Sequence, residues 1–244
     1  LGMAFIGFQY GFASGWRRFL ETGDGSPLSL HFLLAALCAL MFIPVSAAAI
    51  GPSGSLAPVS LSLFIGAFMF GTGMQLANGC GSGVLFSFAG GAGRMLVALP
   101  FFVIGSVLGS IILPPVLALG SFGQVEIGAG LSGFGKLAVN LALLLSAAAL
   151  FGWLGARRGF YLSRKMLLAT AMIALLCWGV FWVSQHPWGV TFGFTLWGAK
   201  IASAIGVPME DFTFWTWPGS QRALNHSVLS DTSSLMDFAM IIGA

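Results

Sequence analysis

Long unbroken apolar runs dominate this chain. Leu28–Ile50, Val59–Asn78, Arg94–Leu119, Lys136–Gly155 and Met166–Ser184 are almost free of internal charge, and each approaches the roughly 20 residues that a helix needs to cross a bilayer. In hydrocarbon every backbone N–H and C=O must be satisfied within the protein, so such runs predict spanning α-helices and no sheet. An earlier apolar stretch from Leu1 to Gly15 ends at Trp16, Arg17 and Arg18, an interfacial aromatic followed by charge. Ser26 reads as an N-cap with Pro27 at the first helical position, and residues 51–58 read as a short turn.

The pattern breaks at Asn78-Gly79-Cys80-Gly81-Ser82-Gly83. The apolar piece after it is too short to cross before Gly90–Gly93 interrupts again, so Gly81–Ala89 reads as a short re-entrant helix or broken span. Such pieces are tolerated at membrane depth only inside protein or beside a polar cavity. Beyond Ser184 lie a further apolar segment, Trp188–Gly206, interrupted by Gly193, Gly198 and Lys200, then a Trp-rich interfacial stretch, Pro208–Asn225. A last apolar run follows, capped by Asp231. The fold class read from this pattern is an all-α polytopic integral membrane protein with short re-entrant or broken helices.

Composition sharpens that reading. Charged residues make up 7% of the chain and hydrophobic ones 57%, against roughly 25% charged in soluble domains. Lipid must therefore solvate most of the surface. A net charge of +3 is too small and too local for nucleic-acid binding and reads better as a topology signal. Arg157, Arg158, Arg164 and Lys165 place the loop 156–165 in the cytoplasm by the positive-inside rule. Three cysteines without close pairing do not make a disulfide framework. His31, His186 and His226 lack ligand spacing, so neither a metal nor a cofactor is expected. Gly128–Gly133 matches a dinucleotide pattern, but no strand precedes it.

Two segments echo each other. Tyr10-Gly11-Phe12, leading to Arg18, resembles Phe192-Gly193-Phe194, leading to Lys200; Phe64–Ala67 resembles Ile241–Ala244 in the same order. Duplicated halves place a substrate site at the repeat interface. The organisation expected is one transmembrane domain over 1–244: a first half-repeat in 1–120, connecting spans in 121–185, and a truncated second half-repeat in 186–244. The chain is then expected to be a piece of a longer protein.

Among the chemical candidates Cys80 is the sharpest. A helix starting near Gly81 aims free N–H groups and a positive dipole end at the break, which is a ready anion site. Glycines at 79 and 81 allow close approach. A thiol there can donate a weak bond to a soft sulfur atom. The competing reading is packing, with Gly79 and Gly83 as a small-residue contact. Ser82, Asn78 and Gln75 are candidate polar lining. Arg17, Arg18 and Lys200 are either pore-mouth charges that gather anions or snorkelling anchors. Cys38 and Cys177 lie in uniform apolar runs and read as packing residues. Three functions follow: a permease, a non-transporting subunit that scaffolds a larger complex, or an enzyme with Cys80 as nucleophile. The last needs a nearby base, and the sequence around Cys80 offers none.

Three stretches resemble the YeeE/YedE family of sulfur-compound transporters: Gly11–Phe19 with Gly23-Asp24-Gly25; Gly71-Thr72-Gly73-Met74-Gln75-Leu76-Ala77-Asn78-Gly79-Cys80-Gly81-Ser82-Gly83; and Gln185–Gly189 through Trp197-Gly198-Ala199-Lys200. The resemblance implies an inverted-repeat bundle in the bacterial inner membrane with short helices dipping in from both sides. It also implies uptake of a small sulfur anion, thiosulfate first among them, passed between cysteine thiols, with a sulfur-carrier or sulfurtransferase protein and membrane lipid as partners. The chain departs from the pattern twice. Phe12, Ala13 and Ser14 supply no cysteine in the first motif, and no second Gly-Cys motif occurs.

Overall fold

The computed structural model describes residues 1–8, 10–48, 58–156, 159–185 and 188–244. Within them the helices are α1 Gly2–Gly7, α2 Phe12–Thr22, α3 Ser26–Ala47, α4 Leu61–Ala77, α5 Gly81–Ala89, α6 Gly93–Leu117, α7 Gly133–Gly155, α8 Arg164–Ser184, α9 Val190–Ala204, α10 Thr213–Thr216, α11 Pro218–Asn225 and α12 Thr232–Ile242. Five helical stretches are long and apolar enough to cross a membrane: α3, α6, α7, α8, and α4 continued through α5. This is an all-α polytopic membrane protein, and the spans start and stop within a few residues of the positions read from hydropathy. The end of the first run at Ile50, most of the turn after it, and Arg157, Arg158, His186 and Pro187 lie outside the described residues. One local departure from helices alone occurs. β1, Pro58–Ser60, pairs with β2, Ser121–Gln124, tying the start of α4 to the segment after α6 outside the spans.

The chain forms two compact units, each built from one early and one late stretch. The first takes residues 3–57 and 124–187. Its frame is the antiparallel pair α3 and α7. At one end Gly133 lies so close to Ala47 that a Cβ on it would sit 3.0 Å from the alanine methyl. At the other end a Cβ on Gly25 would overlap the Phe151 carbonyl, and one on Gly155 would sit 2.5 Å from the Gly25 nitrogen. Only glycine permits backbones this near. Ser29 Oγ donates to the Ala148 carbonyl at 2.8 Å across the same seam. Phe151 stacks on Phe32 and meets Trp16 and Phe19 edge-on, which docks α2. α8 packs on α3 through Phe42, Trp178 and Phe181.

The second unit takes residues 58–123 and 188–244. α5 and α9 both lean on α6, and α12 packs on α5 and α9. Gly198 lets α9 approach α6 closely, since a Cβ there would meet Val103 and Val107. Below that crossing Leu196, Ala199, Met209 and Trp215 form a buried cluster. The Trp-rich stretch is therefore only partly interfacial: Trp215 is fully buried and donates to Ser110 Oγ, while Trp217 stays exposed. Large side chains along α4, α6, α7 and α8, among them Phe68, Leu96, Phe101, Leu143 and Leu175, point outward. An apolar surface this extensive suits lipid and not water.

Candidate functional site

The break after α4 is built by backbone geometry. Asn78 adopts a left-handed conformation (φ 55°) as the C-cap of α4, a state that asparagine tolerates better than most residues. Gly79 is buried, with Val84 3.2 Å from where its Cβ would be. The chain then re-enters helix at Gly81, with Cys80 as N-cap in extended conformation. The thiol takes the place of the usual cap oxygen: Gly83 N–H donates to Cys80 Sγ at 3.4 Å. Ser82 Oγ also lies 3.4 Å from that sulfur. The N–H groups of Gly81 and Ser82, at the first two positions of α5, have no intrahelical acceptor. Cys80 and Ser82 are half-buried and Gly81 is buried.

A second helix start lies alongside. A Cβ on Gly81 would contact Val190 Cγ1 at 3.2 Å and Thr191 Cγ2 at 3.6 Å, so the first turns of α5 and α9 meet. Gly189, the N-cap of α9, sits against Ser233 in the first turn of α12. Three helix starts therefore gather in the second unit. The unpaired amides and dipole ends of α5 and α9 produce positive potential there, whereas the start of α12 carries the Asp231 carboxylate, which accepts from the Ser234 N–H at 2.7 Å. Asn78 and Thr191 also line a groove of about 650 Å³ with Arg94, Phe102 and Ser106.

Of the positions singled out from sequence, Asn78, Gly79, Cys80, Gly81 and Ser82 form one continuous corner. The cations do not join it. Lys200 Nζ donates to the carbonyls of Leu224 and His226 at 2.8 and 2.7 Å, closing the C-terminal end of α11. Arg18, in the first unit, pairs with Asp24 at 2.8 Å on the same helix as Arg17. Asp24 also accepts from the Ser26 N–H and hydroxyl at 2.9 and 2.6 Å, which fixes the start of α3. Arg18 lines a cavity of about 490 Å³ with Tyr10, Ser14, His31 and Lys165. His31 Nδ1 donates to the Pro27 carbonyl, and its Nε2 is buried without a partner among the described residues. Burial pushes the Tyr10 hydroxyl up to about 12, and that hydroxyl donates to the Leu30 carbonyl at 2.9 Å.

Two features escaped sequence reasoning. Cys38 and Cys177, read as separate packing residues, are neighbours where α3 and α8 pack. Asp237, inside the last apolar run, is completely buried. The signal for the second was present, since an ionisable residue in an apolar run marks a functional position by default.

Comparison with curated proteins matches none. Comparison with family models matches one, described as sulphur transport, over residues 9–244. That match spans both units and all five apolar helical stretches, so the chain belongs to the sulphur transport family.

Proposed function

We propose that the protein is an uptake permease for a small sulfur-containing anion, thiosulfate first, and that the corner at Cys80 is its binding station. The observation that carries this reading is the thiol at the N-cap of α5, beside the first turn of α9. Thiosulfate presents oxygens, which suit helix amides, and a soft terminal sulfur, which suits a thiol donor. The Cys80 sulfur already accepts the Gly83 N–H, and its own S–H can donate to an arriving anion. Amides and a weak thiol donor hold a dianion loosely enough to release it. An ammonium in direct contact at low dielectric would hold it far more tightly.

On this reading residues 1–120 are one half of a repeat, 121–185 connect, and 186–244 begin the second half. The protein sits in a bacterial inner membrane with loop 156–165 in the cytoplasm, and Arg18, which lines the first unit's cavity, gathers anions there together with Arg17 on the same helix. Lys200 serves structure instead, through the carbonyls it caps.

The test is uptake in cells that depend on thiosulfate as their sulfur source. Cys80→Ala lowers uptake at least tenfold at unchanged protein level, the equivalent of about 1.4 kcal/mol. Cys38→Ala and Cys177→Ala leave uptake nearly unchanged. Full uptake in Cys80→Ala removes the thiol from the mechanism.

A further inference from the structure

Among the described residues Asp237 has no counter-charge. Its Oδ1 accepts from Trp188 Nε1 at 2.9 Å. Its Oδ2 is buried with no partner among the described residues. That oxygen occupies the space above Gly193 where any Cβ would overlap it, so α9 closes over the carboxyl with a glycine. Among the described residues the seam around it is otherwise neutral. Trp197 donates to Ser234 Oγ at 3.0 Å and stacks on Phe238, with ring centroids 4.9 Å apart.

Among the described residues, the charged and titratable groups on α5, α9 and the Val228–Ser230 turn, which pack against α12, do not compensate. α5 has none, apart from Cys80 at its cap. α9 offers Lys200, whose ammonium is held by the Leu224 and His226 carbonyls. The turn at Val228–Ser230 has none. On its own helix the nearest is Asp231, the N-cap, whose like charge disfavours a second anion and whose Oδ2 is engaged by the Ser234 N–H. A completely buried carboxylate with one oxygen unpaired is costly, whereas the neutral acid removes the charge and most of that cost.

We propose that Asp237 is a proton-binding site of the transport unit: it carries a proton while the anion passes, and losing it stops uptake. This rests on the reading of the Cys80 corner, at the α5 and α9 helix starts, as the anion station. Ionised, Asp237 puts a negative charge into the helix cluster whose amides must attract an anion, and leaves Oδ2 unsolvated between α9 and α12. Protonated, it leaves the attraction intact. Burial holds its carboxyl up at about 7 despite the Trp188 hydrogen bond, which acts in the opposite direction. Ionisation therefore falls in the physiological range.

The experiment is infrared titration of the purified full chain in lipid nanodiscs, from about pH 5 to about pH 9, spanning the range over which a carboxyl with this pKa changes charge, with uptake measured over the same interval. The result expected is a neutral-acid carbonyl band that disappears with a midpoint of about 7 and is missing in Asp237→Asn. Trp188→Phe moves the midpoint upward, because it removes the bond that favours the anion. Wild-type uptake falls over the same interval, and Asp237→Asn takes up substrate without that fall. Absence of the band in the wild-type protein at the acid end overturns the proton site, and needs no variant to fold. A titrating band with pH-independent wild-type uptake overturns the coupling. A band that titrates normally in a protein that moves no thiosulfate supports the proton site and counts only against the substrate.

Discussion

Gly193→Ala tests the seam between α9 and α12 most directly. The added methyl would overlap Asp237 Oδ2, so the carboxyl must swing away and its bond from Trp188 Nε1 weakens. Overpacking of this kind costs about 1–3 kcal/mol, and loss of a neutral hydrogen bond adds about 1 kcal/mol. Against this, alanine in a helix interior gains about 1 kcal/mol over glycine. The net is a destabilisation of about 2 kcal/mol, or a fall in Tm of about 4–8 °C for a chain of this length. In an Asp237→Ala background the obstruction is gone and only the helix gain remains, so Gly193→Ala there is neutral or stabilising by up to about 1 kcal/mol. The coupling between the two positions is then about 2–3 kcal/mol, within the range for residues in contact. Thermal unfolding of the four proteins in one detergent measures it. An equal cost of Gly193→Ala in both backgrounds would refute the assigned contact.

Other perturbations have different outcomes. Gly25→Ala drives a Cβ into the Phe151 carbonyl, backbone against backbone; loss of monodisperse protein is expected, whereas Gly66→Ala, with open space around it, purifies normally. Asp24→Ala removes the partner of Arg18 and of both Ser26 donors and costs about 2–3 kcal/mol by unfolding. Arg18→Ala costs no more than about 1 kcal/mol, because its side chain is 59% exposed while that of Asp24 is 7% exposed. The raised carboxyl of Asp237 gives stability a sign with pH. Its contribution is full below about 4, declines as pH rises, and is gone above about 7, so the protein loosens between acid and neutral pH and this group changes nothing further in alkali. Tm measured against pH should show that decline in the wild-type protein and a flatter profile in Asp237→Asn.

What could be read from the residues alone was whatever depends on neighbours in sequence. Hydropathy located the spans because the requirement for a continuous apolar helix is local. The break at Asn78–Cys80 was legible for the same reason: one residue takes the left-handed turn and the next positions, rich in glycine, restart a helix. Cys80 followed as its cap. The family motifs at these positions pointed to sulfur transport before the fold was known, and the family match over residues 9–244 agrees with them.

Tertiary structure decided everything that pairs distant residues. Lys200 has the same look in sequence as Arg18, yet it caps α11 while Arg18 pairs with Asp24. Cys38 and Cys177 are each unremarkable in their helices and meet only because α3 and α8 pack. Gly25 and Gly193 appear among 35 glycines, and only packing shows that one faces a carbonyl and the other a carboxyl. Asp237 is the sharpest case. The sequence shows an acid in an apolar run, but whether it meets lipid, a cation or an indole depends on which helix lies across from it. Long-range contacts set that choice, and the local pattern of apolar and polar residues does not encode them.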